Sequence, residues 1–305
     1  MKRTLIYILF ITVITGLFLY YDNEIINFYH NTVVLLSKEN NTILKNEYYR
    51  DIDFKYVQNA KDFNPNNAQD IVNIFYTVIN SGDDKFTFFC PIDYKDCLTD
   101  VREIASDQIK LSHINNFVHP YNGFSHIEVQ YTTSGKVDII VDRNYNSDEI
   151  ATINAKVDAI YSQLVKAENS DLENIRIIHD YIINNSRYDS ARSDYNILTY
   201  KSHIAYGPLI QNYGICGGYS DAMTLFLEKM NIKNFKVSSE SHVWNAIYLD
   251  GKWYHLDLTW DDPVASDGSD ILIDDYFMIS TNKLLSLEDK EHKFDYNIYL
   301  ELKEA

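Results

Sequence analysis

The apolar and polar positions divide this chain into an apolar head, a polar stretch and a long series of recognisable elements. After Met1-Lys2-Arg3, residues 5–21 carry no charge and are rich in Ile, Leu, Phe and Tyr; Asp22 and Glu24 close the run. Such a run is just long enough to cross a bilayer. Basic residues ahead of it would leave the N-terminus cytoplasmic and the rest of the chain outside. A cleaved signal has the same outline, but no A-x-A-like site follows, because Tyr20-Tyr21-Asp22-Asn23 is bulky and polar. We therefore expect an uncleaved anchor over 1–24, with a secreted protein as the alternative if it is cleaved. Residues 25–67 are Asn-rich and read as a connector, with a juxtamembrane helix over 25–36 and a turn at Asn64-Pro65-Asn66-Asn67.

Between 68 and 146 the periodicities predict a small α+β unit. Ile71, Val72, Ile74, Phe75, Val78 and Ile79 follow helical spacing over 68–80, and Ser81-Gly82 ends the helix. A short strand over 85–90 and a second helix over 101–115 come next. Alternation over 125–131 and 136–141, joined by Thr132-Thr133-Ser134-Gly135, predicts a β-hairpin.

From 147 to 305 the pattern predicts a second domain. Ser147 would cap a helix over 148–168, and Ser170-x-x-Glu173 is a capping box for another, with Leu172, Ile175, Ile178, Tyr181 and Ile182 on one face. An amphipathic helix over 220–230 follows Gly214-Ile215-Cys216-Gly217-Gly218-Tyr219. Strands are predicted over 235–239, 243–249 and 252–258, the last two joined by the tight turn Asp250-Gly251.

Composition narrows the function classes. Apolar residues make up 46% of the 305, which excludes a disordered chain. The formal net charge of −17 argues against a nucleic-acid partner, which needs clustered Lys and Arg. Cys90 and Cys97 are close enough for a disulfide and equally compatible with two reduced thiols, whereas Cys216 stands alone. Neither the spread histidines His113, His119 and His126 nor the acidic residues Asp261, Asp262, Asp267, Asp270, Asp274 and Asp275 follow a metal-binding spacing. We expect no metal and no cofactor.

The candidate chemistry gathers around Cys216. A helix start offers unpaired amides and a partial positive charge, and both favour thiolate over thiol. Flanking glycines leave room for a substrate. His242 opens the strand 243–249, and pairing Leu249 with Lys252 sets Asp257 opposite Trp244, diagonal to His242. Cys216 as nucleophile, His242 as base and Asp257 as orienter would then form a thiol triad. His255 and Asp261 are rivals for the second and third roles, and a metal-dependent hydrolase on His242, His255 and Asp257 is a further alternative.

These residues resemble the transglutaminase-like superfamily of papain-like thiol enzymes. The resemblance rests on Tyr206-Gly207, Ile215-Cys216-Gly217-Gly218-Tyr219-Ser220, Ser241-His242-Val243-Trp244-Asn245 and Trp253-Tyr254-His255-Leu256-Asp257-Leu258-Thr259-Trp260-Asp261-Asp262-Pro263, with Asn185-Ser186-Arg187-Tyr188-Asp189 upstream. It covers residues 150–295. It implies an α+β fold in which a helix carrying the cysteine packs on an antiparallel sheet carrying His and Asp. It selects Cys216, His242 and Asp257 as catalytic residues, and Tyr206, Gly217 and Trp244 as oxyanion or substrate-lining residues. The implied activity is acyl transfer on protein or peptide amides: cross-linking or hydrolysis, with cell-wall or surface peptides as substrates. A non-catalytic surface domain on the same fold is the reading from a different class.

Overall fold

The computed structural model describes residues 43–263 and 272–304, together with Phe28 and Thr32. The expected anchor over 1–24 lies outside the described residues, as do the helix over 25–36 apart from those two residues, and Asp267 and Asp270. Among the described residues, no helix is long and apolar enough to cross a membrane.

The first unit is built as its periodicity suggests. Helix α1 (Ala68–Ser81) is capped by the Asn67 side chain and stopped by Gly82 in the left-handed region at φ 83°. Strand β1 (Lys85–Phe89) leads through a Cys90–Cys97 disulfide, with Cα atoms 5.7 Å apart, into α2 (Cys97–Ser106) and α3 (Gln108–Asn115). The single helix expected over 101–115 is therefore two. Asp107 adopts extended backbone, and its side chain accepts from the Lys110 amide, so it caps a new helix instead of continuing the old one. The hairpin strands β2 (Phe124–Tyr131) and β3 (Lys136–Arg143) join β1 in an antiparallel sheet of order β1-β3-β2.

Helix α4 (Ser147–Leu164) is capped one residue earlier than expected, by Asn146 in a capping box with Glu149. Helix α5 (Asp171–Asn185) carries the expected Ser170–Glu173 box. A two-residue strand β4 (Arg187–Tyr188) pairs in parallel with β5 (Tyr213–Gly214), with the short α6 (Ser190–Tyr195) and a helical turn at Gly207–Gln211 between them. Helix α7 (Cys216–Lys229) and an antiparallel sheet of order β6-β7-β8 follow: Asn234–Ser238, Val243–Leu249 and Lys252–Leu256. The observed register, Leu249 with Lys252 through Asn245 with Leu256, is the one the turn specifies. Asp250 and Gly251 both have positive φ, as a two-residue hairpin turn requires. A short helix α8 (Leu258–Asp261) and α9 (Thr281–Ser286) complete the regular elements.

The sheet β6-β7-β8 is covered on both faces, which fixes the architecture. Ile247 packs with Ala222, Met223 and Phe226 of α7 and with the isoleucines of α4 and α5. Trp244 and Ala246, pointing the other way, join the core of the first unit. That second core is continuous across the expected boundary at 146: the Phe117 ring packs at a tilt against Phe235 at 5.2 Å and against Phe54 at 5.1 Å. The connector is part of it too. Phe54 and Val57 are buried, and the buried Arg50 bonds Glu228 at 2.5 Å and the carbonyls of Phe117 and Asn234.

Candidate active site

Cys216 is the first residue of α7, so the helix starts four residues before the apolar pattern begins. The reason lies in the loop ahead of it. Ile215 donates its amide to Ser202 O at 2.9 Å, which lays residues 202–204 against the first helical turn. A Cβ on Gly218 would sit 2.2 Å from Ser202 O, and one on Gly217 2.8 Å from His203 O. Only glycine permits that approach. The N-cap Ile215 has no side-chain acceptor, so no side chain caps the amides beside Cys216. Cys216 is half-buried and is the one free cysteine among the described residues.

Polar bonds tie this helix to the strand that His242 opens. Ser220 Oγ lies 2.8 Å from Cys216 O and 3.1 Å from Val243 O. Asn245 Nδ2 donates to Ser220 O at 3.1 Å and to Thr224 Oγ1 at 2.9 Å. His242 itself sits in a tight loop, where Ser239 and His242 exchange bonds at 2.9 and 3.2 Å. Its Nε2 is 2.5 Å from Asp257 Oδ2, which leaves Nδ1 for the Cys216 thiol that lines the same cleft. Burial opposes charge on His242, but the Asp257 carboxylate and the Cys216 contact outweigh it and lift its pKa from 6.5 to about 10.

Asp257 has left the strand. It is the N-cap of α8 and accepts from the amides of Thr259 at 2.9 Å and Trp260 at 3.4 Å through Oδ1. Its other oxygen also receives His292 Nε2 at 2.8 Å. Burial would raise its pKa; His242 and then His292 hold it well below the usual carboxylate range. Sequence patterning missed His292, which lies 35 residues downstream in an irregular segment. The spacing Asp289-x-x-His292 was the available signal.

The rival residues are occupied elsewhere. His255 accepts from Trp244 Nε1 at 2.9 Å and meets Thr281 Oγ1 at 2.9 Å; complete burial depresses its pKa to about 3. Asp261 accepts from the Tyr276 amide at 2.9 Å and lies 3.2 Å from His179 Nε2. The hydrolase reading on His242, His255 and Asp257 thus loses His255. Of the expected lining residues, Trp244 is 1% exposed and stacks beneath the His242 ring at 5.7 Å, so it supports the site instead of facing substrate. Tyr206 is the N-cap of the helical turn Gly207–Gln211 and packs on the α7 core. Gly217 lies in the first turn of α7, against His203.

The cleft above Cys216 and His242 has a volume of about 480 Å³ and is walled by Tyr188, Ser190, Trp260, Asp262 and Glu291, among others. His242, Asp257 and His292 present three ligand-type atoms within 4.8 Å of one another. Their Nε2–Oδ2 separations of 2.5 and 2.8 Å are those of N–H···O hydrogen bonds. A tetrahedral ion with bonds of about 2.0–2.1 Å would spread its ligands to roughly 3.3 Å.

Residues 158–258 match the model of the Transglutaminase-like superfamily, and that span contains Cys216, His242 and Asp257. The chain carries a transglutaminase-like domain. Human Kyphoscoliosis peptidase is 26% identical over 161 residues, covering 45% of this chain and 23% of the relative. The chain therefore spans about a quarter of that relative's length. Among solved structures, one described as a TGase superposes with TM-score 0.32 at 13% identity, over 45% of this chain and 44% of the other. A provisionally assigned cysteine protease from Cytophaga hutchinsonii gives 0.28 at 16%, over 48% and 65%. The fold of this transglutaminase-like domain is the mixed α and β arrangement that the motifs imply.

Proposed function

We propose that the protein is a thiol acyltransferase in which Cys216 attacks the carbonyl carbon of a protein or peptide amide. The observation that carries this is that Cys216 and His242 line one open cleft while Asp257, buried behind, holds His242 Nε2 and leaves Nδ1 for the thiol. Sγ adds to the carbonyl, and the oxyanion faces the uncapped amides at the start of α7. The C–N bond then breaks. The leaving amine takes a proton from His242 and leaves a thioester on Cys216. An amine or water attacks the thioester, gives its proton to His242, and expels the thiolate.

The exposed Glu291 carboxylate at the cleft suits a cationic acceptor such as a lysine side chain, which favours cross-linking. Likeness to a peptidase supports hydrolysis as the second reading. The Cys90–Cys97 disulfide supports a location outside the reducing cytosol, where cell-wall or surface peptides would be substrates.

The test incubates the protein with a glutamine-containing protein and a labelled primary amine, beside Cys216→Ala. Cys-dependent incorporation of label establishes cross-linking, and Cys-dependent fragments without label establish proteolysis. Neither product would leave a non-catalytic scaffold as the better account.

A further inference from the structure

Behind Asp257 lies a second histidine that the reaction does not use directly. His292 is 3% exposed and is not among the cleft-lining residues. Its backbone amide and its Nδ1 each lie 2.8 Å from Asp289 Oδ1, and its Nε2 lies 2.8 Å from Asp257 Oδ2. The ring is held on every side. It stacks on Tyr276 at 4.8 Å and meets the edges of Trp244 at 4.8 Å, Trp260 at 5.2 Å and His242 at 5.2 Å. The titratable groups around it are Asp257, Asp289, His242, Tyr276 and, farther off, His255.

We infer that His292, oriented by Asp289, is a positioning residue that clamps Asp257 against His242; this rests on the thiol reading above. A carboxylate rotates about its Cβ–Cγ bond unless both oxygens are fixed. The amides of Thr259 and Trp260 fix Oδ1. On Oδ2 the His242 ring shares the oxygen with a second imidazole, so the carboxylate is held from two directions and not by the proton-carrying ring alone. His292 supplies a donor to Oδ2 that stays put while His242 changes state. It is not itself a cleft-lining residue, and its hydrogen bond toward the triad goes to Asp257, beside the ring-edge contacts with His242 and Trp260.

Two substitutions separate a positioning donor from mere filling of space. His292→Leu keeps bulk and removes the donor, whereas His292→Gln keeps an N–H. The readout is the rate of Cys216 alkylation by iodoacetamide at pH 6, with melting temperatures beside it. Loss of an orienting partner costs about 10–100-fold. We expect His292→Leu to slow alkylation about tenfold or more and His292→Gln to stay within about threefold of wild type. Asp289→Asn, a smaller change that serves as the second variant should the leucine variant fail to fold, is expected to slow it about threefold. Unchanged rates in folded His292→Leu or Asp289→Asn overturn the inference, as does equal slowing by Leu and Gln. Wild type reacting no faster than the urea-unfolded chain would instead overturn the thiol reading itself.

Discussion

Asp257 stands where four donors meet: two imidazoles on one oxygen and two amides on the other. Replacing it with Asn puts an amide where a carboxylate must accept on both sides, so His242 loses its orientation. Asp257→Asn should lower the Cys216 alkylation rate at pH 6 by about a hundredfold, read by mass spectrometry. The same pair sets a pH dependence of stability. His242 rises from 6.5 to about 10 on folding, so its contribution is complete below pH 6.5 and is lost as pH rises through 10. Asp257 is depressed from 3.8, so its contribution is complete above pH 3.8 and is lost on acidification below that. Melting scans of His242→Gln should show the largest deficit between pH 4 and 6.5, with the gap closing toward pH 10. The candidate residues were partly legible: a Cys at a helix start and a two-residue hairpin leave local marks, whereas the choice of His242 and Asp257 over His255 and Asp261 came from the family resemblance. His292 was not, since only the tertiary fold brings it to Asp257.

The elements around the site show how a local rule yields to packing. Gly217 and Gly218 are poor helix formers, yet α7 runs through them because the 202–204 carbonyls leave no room for a Cβ. Gly218→Ala should destabilise the protein by about 1–3 kcal/mol, measured by urea denaturation, and should slow Cys216 alkylation because the helix start must shift. The hairpin register followed from Asp250-Gly251 alone. The strand's end did not: Asp257 caps α8 because its carboxylate finds two amides there, and a capping side chain competes with strand continuation. The same competition at Asp107 splits one expected helix into α2 and α3.

At the scale of the molecule, the two α+β units and residues 43–67 share one apolar core. The sheet β6-β7-β8 has one face against α7 and the other against the first unit, which alternation along a strand cannot reveal. Phe117, fully buried between Phe54 and Phe235, lies at that junction. Phe117→Ala should cost about 3–5 kcal/mol. Calorimetry should show a single transition for wild type and variant alike; two separate transitions would contradict the shared core.

The central claim is that folding makes Cys216 a nucleophile through His242. The most direct measurement is the rate of Cys216 alkylation by iodoacetamide at pH 6, in the folded chain, in the urea-unfolded chain and in folded His242→Ala. An ordinary thiol is almost wholly protonated at that pH. The paired site should react at least about tenfold faster when folded than when unfolded, and His242→Ala should erase the difference. Equal rates in the folded and unfolded chains, or no effect of removing His242, would contradict it.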